Sequence, residues 1–235
     1  MTLYLLPNLL DEAQSWEPFL PKSVQETVAT LDGLIAESEK AGRRYLRRFV
    51  DHDRMAATPI RLLNEHTPPS EIGELLQPIL KGEQWGLISD AGLPCVADPG
   101  SPLVLMAQEK KIRLAAIPGP SSMMMALQLS GLCGQRFAFH GYLPRELPDL
   151  KRALQEIETR SKQEDATQIW IEAPYRSGKM ASFAIETLQP STLFCIALDL
   201  TFLSQSVRTQ PVLRWRKETL EIGKQPAVFL MQARK

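Results

Sequence analysis

The sequence has 235 residues, with 27 Lys plus Arg and 27 Asp plus Glu, so its formal net charge is zero. Hydrophobic residues make up 44%, which is enough for a sizeable core without disulfide or metal staples. The length fits one large domain or two small ones. A non-specific nucleic-acid binder usually carries an overall positive surplus, and this composition excludes one for the chain as a whole.

The first ten residues and the cysteines indicate a compartment. The chain begins with an apolar run but lacks the basic start and small-residue cleavage site of a signal peptide. No stretch reaches the roughly eighteen apolar residues that a membrane helix needs. The three cysteines and three histidines have no zinc-ligand spacing. We therefore expect a cytoplasmic protein with no membrane association and no bound metal.

Short apolar runs alternate with helical patterns, which is typical of an α/β protein. In the first half, strands are predicted at 3–6, 33–36, 60–63, 85–89 and 113–117, and helices at 69–80 and 103–110. This alternation predicts a parallel sheet. The bend at Pro118-Gly119-Pro120 ends the last of these strands and is the predicted domain boundary.

The second half begins with a helix that contains Met123–Leu129, which Ser121 or Ser122 can cap and Gly131 ends. Further strands are predicted at 137–142, 169–173, 193–198 and 227–231, with an exposed helix at 146–163 and another at 180–188. The sequence thus predicts two α/β domains, an N-terminal one at 1–119 with a parallel sheet and a C-terminal one at 120–235 with a mixed sheet.

Three loops at predicted strand ends carry polar groups. Ser89-Asp90-Ala91-Gly92 follows one strand, and Asp98-Pro99-Gly100 lies eight residues further on. Ligands of open α/β sheets bind beyond the carboxyl ends of the strands, and glycine lets the backbone approach a ligand closely. The two acids are equally typical of ordinary turns and helix caps, so their spacing leaves both interpretations open.

The second and third loops are similarly ambiguous. Ser121 and Ser122 stand at a helix N-terminus, which suits an anion but also an ordinary cap, and Met123 is typical of core filling. Glu172 and Arg176 flank a strand end, where a structural salt bridge is an equally good explanation. The chain has no Gly-x-Gly-x-x-Gly, no P-loop and no Gly-x-Ser-x-Gly, which argues against dinucleotide, NTP and hydrolase sites.

The ordered set of motifs is similar to the tetrapyrrole methylase superfamily, and most similar to its branch of small-subunit ribosomal RNA cytidine 2′-O-methyltransferases. The motifs, which span almost the whole chain, are 89–94 with 97–100, 117–122, 129–132, 137–144 and 172–176. This resemblance implies an S-adenosylmethionine-dependent methyltransferase. It also implies two α/β domains with the donor site in the cleft between them, and a homodimer.

Carried over by motif, the resemblance implies donor contacts from both domains. Asp90 and Leu93 would contribute from the first domain. The second domain would contribute after the bend and from its strands, mostly through backbone groups, with Ser122, Met123, Ile171, Ala197 and Ala227.

The sequence departs from the ribosomal RNA branch in three places. The family loop Thr-Pro-Ile-Gly-Asn-Leu is replaced by Pro7-Asn8-Leu9-Leu10, which lacks the glycine. The family stretch Glu-Asp-Thr-Arg is replaced by Glu37-Ser38-Glu39-Lys40. The printed sequence also ends after the last predicted strand, whereas many members of that branch have a C-terminal helical extension. We expect these differences to leave the donor site intact and to leave the acceptor open.

For the acceptor, the resemblance favours ribosomal RNA. The alternative acceptors are a tetrapyrrole, another small molecule or a protein. A different alternative is that the chain binds S-adenosylmethionine without catalysing methyl transfer. Two basic clusters suit RNA phosphates or a solvated helical face. The first consists of Arg43, Arg44, Arg47, Arg48 and Arg54, and the second of Arg208, Arg214, Arg216 and Lys217. A hydroxyl acceptor must lose its proton. Glu37 and His140 have the chemistry for this, although a lone histidine in an apolar run is more typical of a structural residue.

Overall fold

A computed structural model of the chain describes residues 1–234, which separate into a unit spanning Met1–Ser121 and a second unit that begins at Ser122. The first unit has five strands, β1 Thr2–Leu5, β2 Gly33–Ala36, β3 Ile60–Leu62, β4 Gln84–Leu87 and β5 Arg113–Ala116. Its helices are α1 Lys22–Val28, α2 Glu39–Leu46, α3 His52–Ala57, α4 Pro69–Leu75, α5 Gln77–Leu80 and α6 Ser101–Glu109.

The sheet of the first unit is parallel throughout, with strand order β3-β2-β4-β1-β5. Helices cover both faces, and each face has its own core, one around Trp85 and Leu103 and the other around Tyr45 and Leu34. Burial on both faces explains why β1, β2 and β4 are short apolar runs rather than alternating patterns. Because all five strands run the same way, the loops at their carboxyl ends share one edge of the sheet.

The second unit has strands β6 Phe137–Tyr142, β7 Thr167–Glu172, β8 Leu193–Leu198, β9 Ser206–Pro211 and β10 Ala227–Gln232. Its helices are α7 Ser122–Ser130, α8 Leu147–Glu164, α9 Ser177–Thr187 and α10 Val212–Trp215. The strand order is β6-β7-β10-β8-β9; β6 and β7 are parallel and the other three pairs antiparallel. Stacked rings of Trp170, Phe194 and Phe229 lie at the centre of its core.

The α/β class, the parallel first sheet and most strand positions agree with the sequence prediction. The single helix predicted at 69–80 is wrong, because the chain forms α4 and α5 with a break at Leu76. Pro78 has no N–H and its ring would collide with the carbonyl of Glu74 in a continuous helix. The helix predicted as exposed, α8, buries one face through Leu150, Leu154 and Ile157.

Strand β9 and helices α1 and α10 had no clear sequence signal. β9 is an edge strand that pairs only with β8 among the described strands, and its sequence Ser-Val-Arg-Thr-Gln-Pro is mostly polar. An edge strand is half solvated, so it needs no continuous apolar run. Within residues 1–234, every helix is too short or too polar to serve as a membrane span.

Candidate functional site

The segment Ser89–Gly92 lies at the carboxyl edge of the first sheet, directly after β4. The strand order places β4 between β2 and β1, so the loops after these two strands flank the segment on either side. Ser89 is buried and Asp90 is exposed. The Ser89 hydroxyl donates to the carbonyl of Ala91 at 3.0 Å, which tightens the turn. The segment therefore presents the Asp90 side chain outward from a turn whose backbone is held in place.

The loop after β1 is bonded to this segment through Asn8. The Asn8 N–H donates to the Gly92 carbonyl at 2.7 Å, and its Nδ2 donates to the carbonyls of Ser89 and Asp90, each at 2.9 Å. The sequence did not predict Asn8 as a site residue. A signal was present, because Asn8-Leu9 retains the Asn-Leu of the family loop although the glycine before it is missing.

Glu37 follows β2 on the other side. Its Oε1 accepts a hydrogen bond from the Asp90 N–H at 3.1 Å. Burial, more than repulsion by Asp90 and Glu65, raises the pKa of the Glu37 carboxyl above its usual range, and the bond from Asp90 partly opposes this. The structure thus places Glu37, which the sequence offered as a base, against the backbone of Asp90.

Asp98 belongs to the same group of acids. Burial is the main reason that its pKa rises from 3.8 to about 6, followed by repulsion from Glu37 and, to a smaller extent, from Asp90. Like charges close together disfavour ionisation. Among residues 1–234, no group of three or more His, Cys, Asp or Glu side chains is arranged to hold a metal ion. Glu37, Asp90 and Asp98 lie close enough together to repel one another.

The stretch that follows the turn has an unusual backbone. Between 92 and 100, φ is positive at Gly92 (71°), Cys95 (69°), Ala97 (64°) and Gly100 (136°). A Cβ on Gly100 would lie 2.7 Å from the Cys95 Sγ, so glycine is required there for space as well as for φ. Non-glycine residues at positive φ store strain, and such strain is concentrated at functional sites.

The Pro-Gly-Pro bend approaches the same edge after β5. The Ile117 N–H donates to the Leu5 carbonyl at 3.1 Å. A Cβ on Gly119 would lie 2.1 Å from the Cβ of Pro7, so any other residue would push the two loops apart. The loops after β1, β2, β4 and β5 are therefore gathered at one edge of the first unit, and they include Asp90 and, three residues later, the half-buried Leu93.

The other predicted donor contacts lie in the second unit. Ser122 and Met123 form the first turn of α7 and are partly buried. Ile171 on β7 and Ala197 on β8 both pair with Val228 on β10, so they occupy one row across the sheet. Ala227 lies in the next row, paired with Glu172 and Leu198. The register therefore brings Ile171, Ala197 and Ala227 together, at the end of the sheet where β7 and β8 finish.

Side-chain direction separates these three residues. Successive residues of a strand face opposite sides of the sheet, so Ala227 faces the other way from Val228. Ala227 belongs to the core around Trp170, whereas Ile171 and Ala197 share the opposite face with Val228. Ala227 can therefore contribute to a site only through its backbone.

Glu172 and Arg176 form the structural ion pair that the sequence left as one alternative. Arg176 Nη2 lies 3.3 Å from Glu172 Oε2, and the carboxylate side chain is 1% exposed. Its Oε1 accepts from the Ala173 N–H at 2.8 Å, so the pair fixes the turn between β7 and α9. His140 Nε2 is similarly occupied, at 2.7 Å from Oε1 of the buried Gln168, which supports its structural interpretation.

The first basic cluster serves mainly to hold the first unit together. Only Arg47 among its five arginines is exposed without a partner among the described contacts. The other arginines reach the carbonyls of Met55 and Thr58 (Arg43), the carboxylate of Glu12 (Arg44), the side chain of Asn8 (Arg48) and the carbonyl of Leu31 (Arg54).

Two of the four residues of the second basic cluster, Arg208 and Arg216, are engaged in a similar way. Arg216 donates to the carbonyls at the end of α9, including those of Ile185 and Leu188. Arg208 pairs with Glu218 at 2.8 Å and lies over the Trp215 ring. Most of the basic side chains in the two clusters are therefore engaged in hydrogen bonds or ion pairs within the protein.

Comparison with known proteins identifies relatives with one shared name. Proteins called ribosomal RNA small subunit methyltransferase I are 29% identical in Escherichia coli O157:H7, 32% in Pseudomonas aeruginosa and 33% in Mesorhizobium japonicum. The alignments cover 99%, 66% and 78% of this chain, and 78%, 54% and 60% of the respective relatives. The chain thus spans between about half and about three quarters of these relatives. No family model matches it.

A crystal structure of the methyltransferase CobJ shares the fold. It has a TM-score of 0.63 over 99% of this chain and 93% of that chain, at 16% sequence identity.

Proposed function

We propose that this chain is an S-adenosylmethionine-dependent methyltransferase that acts on a ribose 2′-hydroxyl of ribosomal RNA. The chain belongs to the tetrapyrrole methylase superfamily and to its small-subunit ribosomal RNA branch. The observation that carries the proposal is the convergence of four strand-end loops around Asp90, in a chain whose relatives are named for ribosomal RNA methylation. Open α/β sheets bind ligands at this edge.

The first unit fits the donor by charge. S-adenosylmethionine carries a sulfonium and an ammonium group, and its chemistry here is to supply a methyl group to a nucleophile. Glu37, Asp90 and Asp98 repel one another, and a cation bound near them would relieve the repulsion that helps to raise the pKa of Asp98. The exposed Asp90 carboxylate is the proposed contact for the donor's positive charge, and Leu93 is the proposed apolar contact.

The second unit supplies the remaining proposed donor contacts. The Ser122 hydroxyl and the Met123 side chain stand in the first turn of α7, where backbone N–H groups lack helical partners and suit a carboxylate. Ile171, Ala197 and Ala227 would contribute mainly backbone groups, which agrees with the inward direction of the Ala227 side chain.

Transfer from a sulfonium is an in-line displacement, so alignment of donor and acceptor supplies much of the catalysis. The acceptor hydroxyl must also lose its proton. Of the two bases proposed from the sequence, Glu37 lies at the candidate site, whereas His140 is bonded to Gln168. Glu37 is therefore the preferred proton acceptor in this proposal.

The proposal also includes a cytoplasmic location and a homodimer. Ribosomal RNA is modified in the cytoplasm of bacteria, and the three cysteines, Cys95, Cys133 and Cys195, are free thiols, as a reducing compartment allows. The dimer is an expectation from the family.

Donor binding is tested first, by titration calorimetry with S-adenosylmethionine. We expect wild-type protein to bind and Asp90→Ala to bind at least about tenfold more weakly, because a charge-assisted contact is lost. Asp53→Ala removes an exposed acid from α3 and is the matched control, which should bind as the wild type does. Failure of the wild type to bind would refute the methyltransferase assignment.

The acceptor is tested by mapping ribose methylation of ribosomal RNA in a deletion strain. We expect one 2′-O-methyl group to disappear and to return when this chain is supplied on a plasmid, but not when Asp90→Ala is supplied. If binding occurs and every ribosomal methyl group survives, the acceptor is a tetrapyrrole, another small molecule or a protein. Binding without any methylated product would identify a non-catalytic donor-binding module.

A further inference from the structure

Asn8 is a buried amide with every hydrogen-bonding position of its side chain in use. It is 3% exposed. Nδ2 donates to the carbonyls of Ser89 and Asp90, and Oδ1 accepts from the Leu9 N–H at 2.9 Å and from Arg48 Nη1 at 2.8 Å. An asparagine side chain offers two donors and two acceptor positions, so this network is complete. Its partners also fix which side-chain atom is nitrogen, because the two carbonyls require a donor.

Asn8 and Glu37 hold the same peptide segment from opposite sides. Asn8 follows β1 and bonds the carbonyl of Asp90, while Glu37 follows β2 and accepts from the N–H of Asp90. β1 and β2 are the two neighbours of β4 in the sheet. Both backbone polar groups of Asp90 are therefore fixed by side chains of the flanking strand-end loops, which sets the direction in which its side chain leaves the backbone.

Helix α2 holds Asn8 in turn. The hydroxyl of the buried Tyr45 in α2 donates to the Pro7 carbonyl at 3.1 Å, and Arg48, in the turn directly after α2, donates to Asn8. Burial lowers the pKa of the Arg48 guanidinium below its usual range. A partly desolvated charge of this kind needs a good acceptor, and Asn8 Oδ1 provides one. Asn8 thus connects the turn after α2 to the segment 89–92.

We propose that Asn8 is a positioning residue for the donor site: it fixes the turn 89–92 so that the Asp90 carboxylate is oriented before the donor arrives. The inference rests on the proposed function only in identifying the donor as the ligand. A preorganised contact costs no ordering entropy at binding, so loosening the turn weakens binding without removing any group that touches the ligand.

Two substitutions test this role. Asn8→Asp keeps the shape of the side chain but turns the donor that faces Ser89 and Asp90 into an oxygen, so the two carbonyls lose their partner and are repelled. Asn8→Ala removes all four bonds. Gln168→Glu, in the second unit, is the matched control, since it makes the same amide-to-carboxylate change at a fully buried site bonded to His140.

The first measurement is amide hydrogen exchange of the protein without any ligand. It tests directly whether Asn8 fixes the turn 89–92. We expect the peptide containing 89–92 to exchange at least about tenfold faster in Asn8→Asp, because each lost bond to a buried group costs about 1.4 kcal/mol or more. Peptides from β1 and β4 should keep their protection, and Gln168→Glu should leave 89–92 unchanged. Unchanged exchange at 89–92 in Asn8→Asp, or an equal rise throughout the first unit, would overturn the proposal.

The second measurement is the dissociation constant of S-adenosylmethionine. We expect it to rise about tenfold in Asn8→Asp and not in Gln168→Glu. Glu37→Gln, which keeps an oxygen for the Asp90 N–H, should bind better than Glu37→Ala. Equal affinities of Asn8→Asp and the wild type would overturn the role in donor binding. If the wild type itself does not bind, the donor assignment fails, while the exchange result still decides whether Asn8 positions the turn.

Discussion

Replacing Asp98 by Asn should stabilise the protein at neutral and alkaline pH. The Asp98 carboxyl has its pKa raised from 3.8 to about 6, first by burial and then by repulsion from Glu37. Each unit of such a difference corresponds to about 1.4 kcal/mol, which gives an upper limit of about 3 kcal/mol. Because the side chain is only half-buried, solvent screening reduces the expected gain to about 1–2 kcal/mol.

The sign of the stability change follows from whether the folded state prefers the protonated or the ionised form of Asp98. A carboxyl whose pKa is raised on folding binds its proton more tightly in the folded state than in the unfolded state. Its contribution to stability is therefore complete below 3.8 and is lost as the pH rises through about 6. Above that, wild-type protein has an unfavourable charge that Asn removes, so the variant's advantage should be largest at pH 8 and should shrink toward pH 4.

Urea unfolding at pH 4.5 and pH 8 measures the effect. Glu156→Gln, which neutralises an exposed acid on α8, is the control and should change the free energy of unfolding by less than about 0.5 kcal/mol at either pH. If Asp98→Asn is no more stable than wild type at pH 8, or has the same advantage at both values, the electrostatic account of this edge is wrong. Under the proposed function, the more stable variant should also bind S-adenosylmethionine more weakly, because one of the three acids facing the cation is lost.

Two further substitutions test the packing and the basic cluster. Gly33→Ala places a Cβ 2.4 Å from the ring of Trp85 and should destabilise the protein by about 1–3 kcal/mol in urea unfolding. The control Gly134→Ala, where nothing lies within 4 Å of the added Cβ, should leave stability unchanged. Equal effects of the two substitutions would contradict the packing argument. Arg216→Gln should cost about 1.5–3 kcal/mol, since it leaves the carbonyls at the end of α9 without their charged donor. The exposed Lys217→Gln should leave stability unchanged, and a loss of RNA affinity alone in Arg216→Gln would contradict the structural role.

The site was only partly predictable from residue types. Asp90 and Asp98 were visible as acids at a strand end, yet turn residues have the same spacing, and only the order of motifs along the chain made a donor site the better interpretation. Asn8 was missed although the Asn-Leu of the family loop is retained, because an asparagine after a proline is by itself an ordinary loop residue. Its four side-chain bonds reach residues up to 82 positions away, which no local pattern encodes. The basic clusters were visible as charge, but the carbonyls they bind come from other elements.

The sequence by itself determined the α/β class, the parallel first sheet and the family, because apolar periodicity and strand-end motifs are local properties of the chain. Only the tertiary structure decided that β4 lies between β1 and β2, since strand order depends on crossovers that the local pattern does not specify. That order places Asn8 and Glu37 on either side of Asp90. The same order brings Glu37 close to Asp90 and Asp98, so that the three acids repel one another and help to raise the pKa of Asp98 to about 6. The sequence specifies which residues carry charges and hydrogen-bonding groups. Only the fold brings these groups close enough to interact.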